Sequence, residues 1–149
     1  MQVTQRYIAL ALIALALNVI WERVHMPLYS SYEALGQGWT LIAWVGLGDA
    51  MYTLCIACAI AAWKRDLNWL HRAGPLEYVS AGVLGLLTAI FIEYKAMLLH
   101  RWSYSAGMPI LPYLNLGLSP LLQLSLLVPL SVYLTKRYSQ ISGLQEREN

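Results

Sequence analysis

Three acidic residues, Glu22, Asp49 and Glu93, stand within or at the edge of apolar stretches where an acid is costly. An Asp at the centre of a membrane helix costs about 2.5 to 3.5 kcal/mol, whereas each Leu, Ile or Val returns only about 0.3 to 0.6. Such groups persist when they face the interior of a helix bundle, and there they can move protons. Asp49 follows Gly38 by eleven positions, about 16 Å of helix and close to a bilayer midplane. Glu93 precedes His100 by seven positions, about 10 Å deep from the same side, and Glu22 stands near the end of the first apolar stretch. These three are the expected catalytic acids, with Glu22 or His25 nearer water to exchange the proton.

Other polar residues extend each acid into a stripe. Asn18, Trp21, Glu22 and His25 follow the i, i+3, i+4, i+7 spacing of one helical face. Glu93, Met97 and His100 share a second stripe, and Asn115, Ser119 and Gln123 recur in steps of four on a third. The substrate-binding set expected from these patterns is Asn18, Trp21, His25, Tyr52, Trp102, Tyr104 and Gln123. Trp102 and Tyr104 belong to the segment 101–109, which reads either as a lid over a pocket or as an aromatic belt followed by a Gly-Pro turn. Glu22 and His25 also form an E-x-x-H pair, the spacing of di-iron bundles, although only one such pair is present. No resident cofactor or metal is expected; a metal would use Glu22 and His25 with Asp49, Glu93 or His100.

Each residue has a plainer reading. Asn18, Ser119 and Gln123 serve equally well as interhelical hydrogen-bond glue, worth about 0.6 to 2 kcal/mol per contact. Glu22, next to Arg23, reads also as a solvated acid. Cys55 and Cys58 form a C-x-x-C in apolar surroundings, where small buried packing residues explain them better than a redox dithiol. Gly46, Gly48, Gly82 and Gly85 are expected to let helices approach closely.

The elements that must position these residues are membrane helices. Of 149 residues, 58% are hydrophobic and 12% charged, and mean hydropathy is +0.51, a composition suited to lipid rather than water. A bilayer core needs roughly 20 apolar residues of helix, and four stretches supply them: 7–24, 38–63, 78–99 and 109–135. Pro120 and Pro129 are expected to kink the fourth. Ala14-Leu15-Ala16 after Arg6 looks like a signal-peptide cleavage site, but the first stretch is read as a retained span. The connection 25–37 is expected to lie along the interface as a short helix. The fold class is therefore all-α, a polytopic four-transmembrane-helix bundle, with residues 1–138 as the membrane domain and 139–149 as a polar, frayed C-terminal tail.

Orientation follows from the cations. With an even number of spans, Arg6, Lys64, Arg65, Arg72, Lys136, Arg137 and Arg147 share one side, and Arg23, Lys95 and Arg101 the other. The positive-inside rule puts both termini in the cytoplasm. Trp63, Tyr78 and Tyr138 then mark the inner interface, and Trp21, Trp39, Trp102 and Tyr104 the outer one. Net charge is only +2, so no nucleic-acid partner is expected. Expected partners are membrane lipids and a lipophilic small molecule, with a homo-oligomer as a further expectation, in the plasma (inner) membrane of a bacterium or archaeon.

Asn18-Val19-Ile20-Trp21-Glu22 resembles the N-x-x-W-E stretch of the small integral-membrane terpene cyclases, in which buried acids protonate an isoprenoid substrate. The resemblance spans five positions and implies Glu22 as proton donor, with Asp49 or Glu93 as a second acid. This chain has fewer helices than those cyclases. The function expected is acid-base chemistry (cyclisation, isomerisation or hydrolysis) on a lipophilic substrate. The competing expectations are a non-catalytic binding or assembly subunit and a proton-coupled transporter.

Overall fold

A computed structural model describes residues 2–30 and 38–148, with side chains as far as Ser142. Four of its helices are long and apolar enough to cross a membrane, each contributing a span of 24 to 26 residues. They are α1 (Val3–His25), α2 (Trp39–Lys64), α4 (Pro75–Leu98) and α5 (Leu118–Glu148), with a short α3 (Trp69–Arg72) between the second and third spans. A 3-10 turn, Met26–Leu28, follows α1, and a small hairpin, β1 (Ile110–Leu111) with β2 (Leu116–Gly117), precedes α5. The expected interfacial helix over 25–37 is represented by that single turn; residues 31–37 lie outside the described residues.

Local chemistry sets the boundaries. Pro75 opens α4, where its missing N–H costs nothing, and Glu77 caps the same end by accepting from the Gly74 N–H at 2.7 Å. At its far end α2 stops at Arg65, which adopts a left-handed φ of 51°. The fourth span begins at Leu118, nine residues later than its hydropathy suggests. Pro109 and Pro112 disfavour helix, and Asn115, at φ 54°, supplies the left-handed turn that pairs Leu111 with Leu116. Asn115 is therefore exposed in a hairpin and not on the stripe of Ser119 and Gln123. Pro120 falls in the first turn of α5, where no intrahelical N–H bond is lost, and only Pro129 stands inside the helix. The same helix continues through the segment assigned to the polar tail, and Ser139 is buried against His71 Nδ1 at 3.3 Å.

α1 packs against both α2 and α5, and α4 packs chiefly against α5, while α2 and α4 touch sparingly. Two glycines set the close approaches. A Cβ on Gly46 would stand 2.9 Å from Val19 Cγ2, and one on Gly85 would collide with the Leu124 carbonyl oxygen. Small residues allow this contact in a membrane, where dispersion rather than water drives packing. Gly48 differs from the expectation, because a Cβ there meets nothing within 4 Å. Cys55 and Cys58 are likewise on the exposed side of α2 and not buried.

Candidate active site

Asn18 starts the site. Its Nδ2 donates to the Ala14 carbonyl at 2.9 Å, so its Oδ1 must face the other way. Gln123 Nε2, arriving from α5, donates to that Oδ1 at 3.0 Å, which fixes the orientation of the second amide. The same Nε2 is 2.9 Å from Glu22 Oε1 and 2.8 Å from Asp49 Oδ2. One nitrogen with two hydrogens thus meets three acceptors on two other helices. The Glu22 and Asp49 carboxyls are also within hydrogen-bonding reach of each other. Two carboxylates drawn to one amide nitrogen repel each other unless a proton or a donor lies between them.

His25, one turn beyond Glu22, completes the line. Its Nε2 is 3.1 Å from Glu22 Oε2. Trp21 Nε1, which can only donate, points at His25 Nδ1 at 3.2 Å, with Ser119 Oγ 2.9 Å from the same atom. Nδ1 is therefore an acceptor and the imidazole proton is on Nε2, aimed at Glu22. The i+3 and i+4 spacings read from the sequence produce this arrangement directly.

Glu93 occupies the opposite wall and is gripped differently. Its Oε1 accepts from the Tyr29 hydroxyl at 3.1 Å; its Oε2 accepts from Trp102 Nε1 at 3.4 Å and from the Tyr104 hydroxyl. Three neutral donors and no acceptor are the complement of a carboxylate. Burial pushes the Tyr29 and Tyr104 phenols above the ordinary tyrosine range, so both remain donors at neutral pH. The backbone holds these rings in place: Tyr29 and Tyr104 pair as an antiparallel bridge, Ser30 N donates to the Ser103 carbonyl at 3.0 Å, and Ser105 N to the Leu28 carbonyl at 2.8 Å. Segment 101–109 is thus tied to residues 27–30 and places Trp102 and Tyr104 against Glu93.

The two clusters border one cavity of about 60 Å³. Glu22 and His25 of α1, Asp49 of α2, Glu93 of α4 and Gln123 of α5 all line it, with Tyr29 and Trp102 at its end. Its lining includes no Lys or Arg. Glu22 and Glu93 are each only 3% exposed, whereas Asp49, with its neighbours Val45 and Ile92, is half-buried. The chamber is therefore closed on the α1 and α5 side and open toward the α2–α4 side.

All three expected acids, together with Asn18, His25, Gln123, Trp102 and Tyr104, gather here, and Trp21 backs His25. Tyr52 does not join them: it lies three residues beyond Asp49, is 41% exposed and does not line the chamber. His100 lies past the end of α4, in an exposed turn with φ 50°, away from the stripe of Glu93. Among the described residues no group of three His, Cys, Asp or Glu side chains is placed to hold a metal ion. Lys95 points outward over the Phe91 ring, 5.9 Å from its centroid. Tyr29 was not among the expected site residues. Its only signal is an aromatic residue four places after His25, beyond a proline that ends the span. Comparison with known proteins gives no match among family models, curated proteins or solved structures.

Proposed function

We propose that this protein is an intramembrane enzyme performing acid-base chemistry on a lipophilic substrate that reaches the chamber from the bilayer. The observation that carries this reading is the single Gln123 amide nitrogen shared by Asn18, Glu22 and Asp49, which leaves the two carboxyls to hold a proton between them. Donation of that proton to an alkene or epoxide leaves both groups as carboxylates. Glu93, across the chamber, then faces the positive charge that develops and accepts the proton released in the second half of the reaction, so an isomerisation or cyclisation balances. His25 returns a proton to Glu22 along the hydrogen-bonded line from Ser119.

The half-open chamber bordered by Asp49 supports catalysis over a purely adhesive role, since glue residues need no void between them. The likeness of residues 18–22 to the membrane terpene cyclases adds an isoprenoid to the candidate substrates. A space of about 60 Å³ takes the reacting end of such a molecule and not its whole length. We further propose that both termini are cytoplasmic and that the chamber opens near the outer leaflet of a bacterial or archaeal plasma membrane, from the distribution of Lys and Arg. Self-association into a homo-oligomer belongs to the same proposal. The line from His25 to Asp49 also suits a proton-coupled transporter, which proton flux into proteoliposomes would reveal.

The test begins with native mass spectrometry of the detergent-purified protein to identify a co-purifying lipid. Turnover of that lipid should fall by a factor of about 10² to 10⁴ in Asp49→Asn and in Glu93→Gln. Folded variants that turn it over at the parental rate would refute the reading.

A further inference from the structure

The chamber is too small for a lipid, and its open side faces α2 and α4, so the rest of a substrate must lie along those helices. On α4, Ser80, Leu84, Thr88 and Ile92 form a row in steps of four, and all four are half-buried. Ile92 lines the chamber. Ser80 and Leu84 line a separate apolar groove of about 460 Å³ at the far end of the row. On α2, Val45 and Asp49 border the chamber, and Ile60 and Trp63 border the groove, fifteen and eighteen positions after Val45 on the same helical face. Tyr52 and Ile56 fall on that face between them. Contact between α2 and α4 is sparse, and a seam running between them from Ile92 at the acids to Ser80 at the groove would be about 18 Å long over those twelve residues.

Charge restricts the other end of the ligand. Three carboxyls and no Lys or Arg in the lining repel a phosphate or diphosphate head, and the volume of about 60 Å³ excludes a bulky one. On the reading above, we infer that the substrate is a neutral, single-chain lipid with a small polar or unsaturated end. That end occupies the acid chamber and the hydrocarbon tail lies in the α2–α4 seam as far as Trp63. The chain length that fits is the one that spans the seam.

Photolabelling of the purified protein tests this without requiring turnover. The probe is hexadecanol carrying a diazirine near its methyl end, compared with an octanol analogue and with the phosphate ester of the hexadecanol probe. The long alcohol should label residues 59–63 and 79–84, and the short one should label the seam nearer Tyr52 and Thr88. Ala59→Trp, at an exposed groove position, should cut the long probe's labelling there about tenfold, a change of 1.4 kcal/mol. Ala62→Trp, exposed on another side of α2, should leave it unchanged, and the phosphate ester should fail to label the groove. Labelling no stronger than at Leu12 and Ile20 on the exposed side of α1, insensitivity to Ala59→Trp, or equal labelling by the phosphate would overturn the inference. Loss of turnover in Asp49→Asn with no groove labelling would sink the tail site alone, and labelling with unimpaired Asp49→Asn turnover would sink the catalytic reading alone.

Discussion

The two ends of the bundle use polar residues in opposite ways. At the Lys64 end, charges meet partners of opposite sign or backbone carbonyls: Lys64 pairs with Glu77, Arg72 with Asp66 at 2.6 Å, and Lys136 donates to the Ala73 carbonyl at 2.7 Å. Arg6 reaches Asn68 at 2.8 Å, and Trp69, wholly buried, plugs the space between helices and donates to the Ala57 carbonyl at 3.2 Å. At the other end three acids share neutral donors, with no Lys or Arg in the chamber lining. One end closes the bundle with pairs of opposite charge, while the other holds its acids among neutral donors. Buried charge without a counter-charge costs stability, and on the proposed function that cost is the price of a site that does chemistry.

That contrast can be broken in steps. The largest stability effect is expected at the plug: Trp69→Ala should cost about 3 to 5 kcal/mol, measured by thermal or denaturant unfolding in detergent, without changing probe binding at the chamber in the fraction that stays folded. Next, Gln123→Leu removes the one donor that three acceptors share, and should cost about 1 to 3 kcal/mol in the same assay while also lowering turnover. Asp49→Asn is expected to act in the reverse sense on stability, raising it by about 0.5 to 2 kcal/mol as turnover falls. A loss of stability in that variant would place Asp49 among the structural pairs and erase the difference between the two ends.

The smallest effect belongs to the exposed loop at the Lys64 end. The Asn68 backbone N–H, at 2.8 Å, and the Arg72 guanidinium hold the Asp66 carboxyl below the usual carboxylate range. A lowered folded value stabilises the loop above the unfolded value of about 3.9, and this contribution is lost as pH falls through the folded value. Amide exchange of residues 66–72 should therefore accelerate below about pH 4, and Asp66→Asn should abolish that dependence. The chamber end should show no such acceleration over the same interval if its acids do not rely on paired cations.

Much of this is legible in the sequence. The first three spans are set by unbroken apolar length, and the Asn18, Glu22, His25 stripe by helical periodicity, because both are properties of a single helix. The start of the fourth span was not legible: hydropathy is the same for an apolar hairpin as for a helix, and only the pairing of Leu111 with Leu116 separates them. The exposure of Cys55 and Cys58 and the open space beside Gly48 are hidden from the sequence for a related reason, since an apolar helix in lipid has no polar side to show which residues face out.

Sequence alone determined that this chain has four apolar helices and that its acids stand where hydrocarbon would penalise them. Tertiary structure decided that Glu22, Asp49 and Glu93 border one chamber, that Gln123 joins two of them, and that Tyr29, Trp102 and Tyr104 hold the third. The physical reason is that helix periodicity fixes which residues of one helix share a face. Which faces meet depends on close packing at positions such as Gly46 and Gly85, a relation among helices that no single stretch of chain encodes.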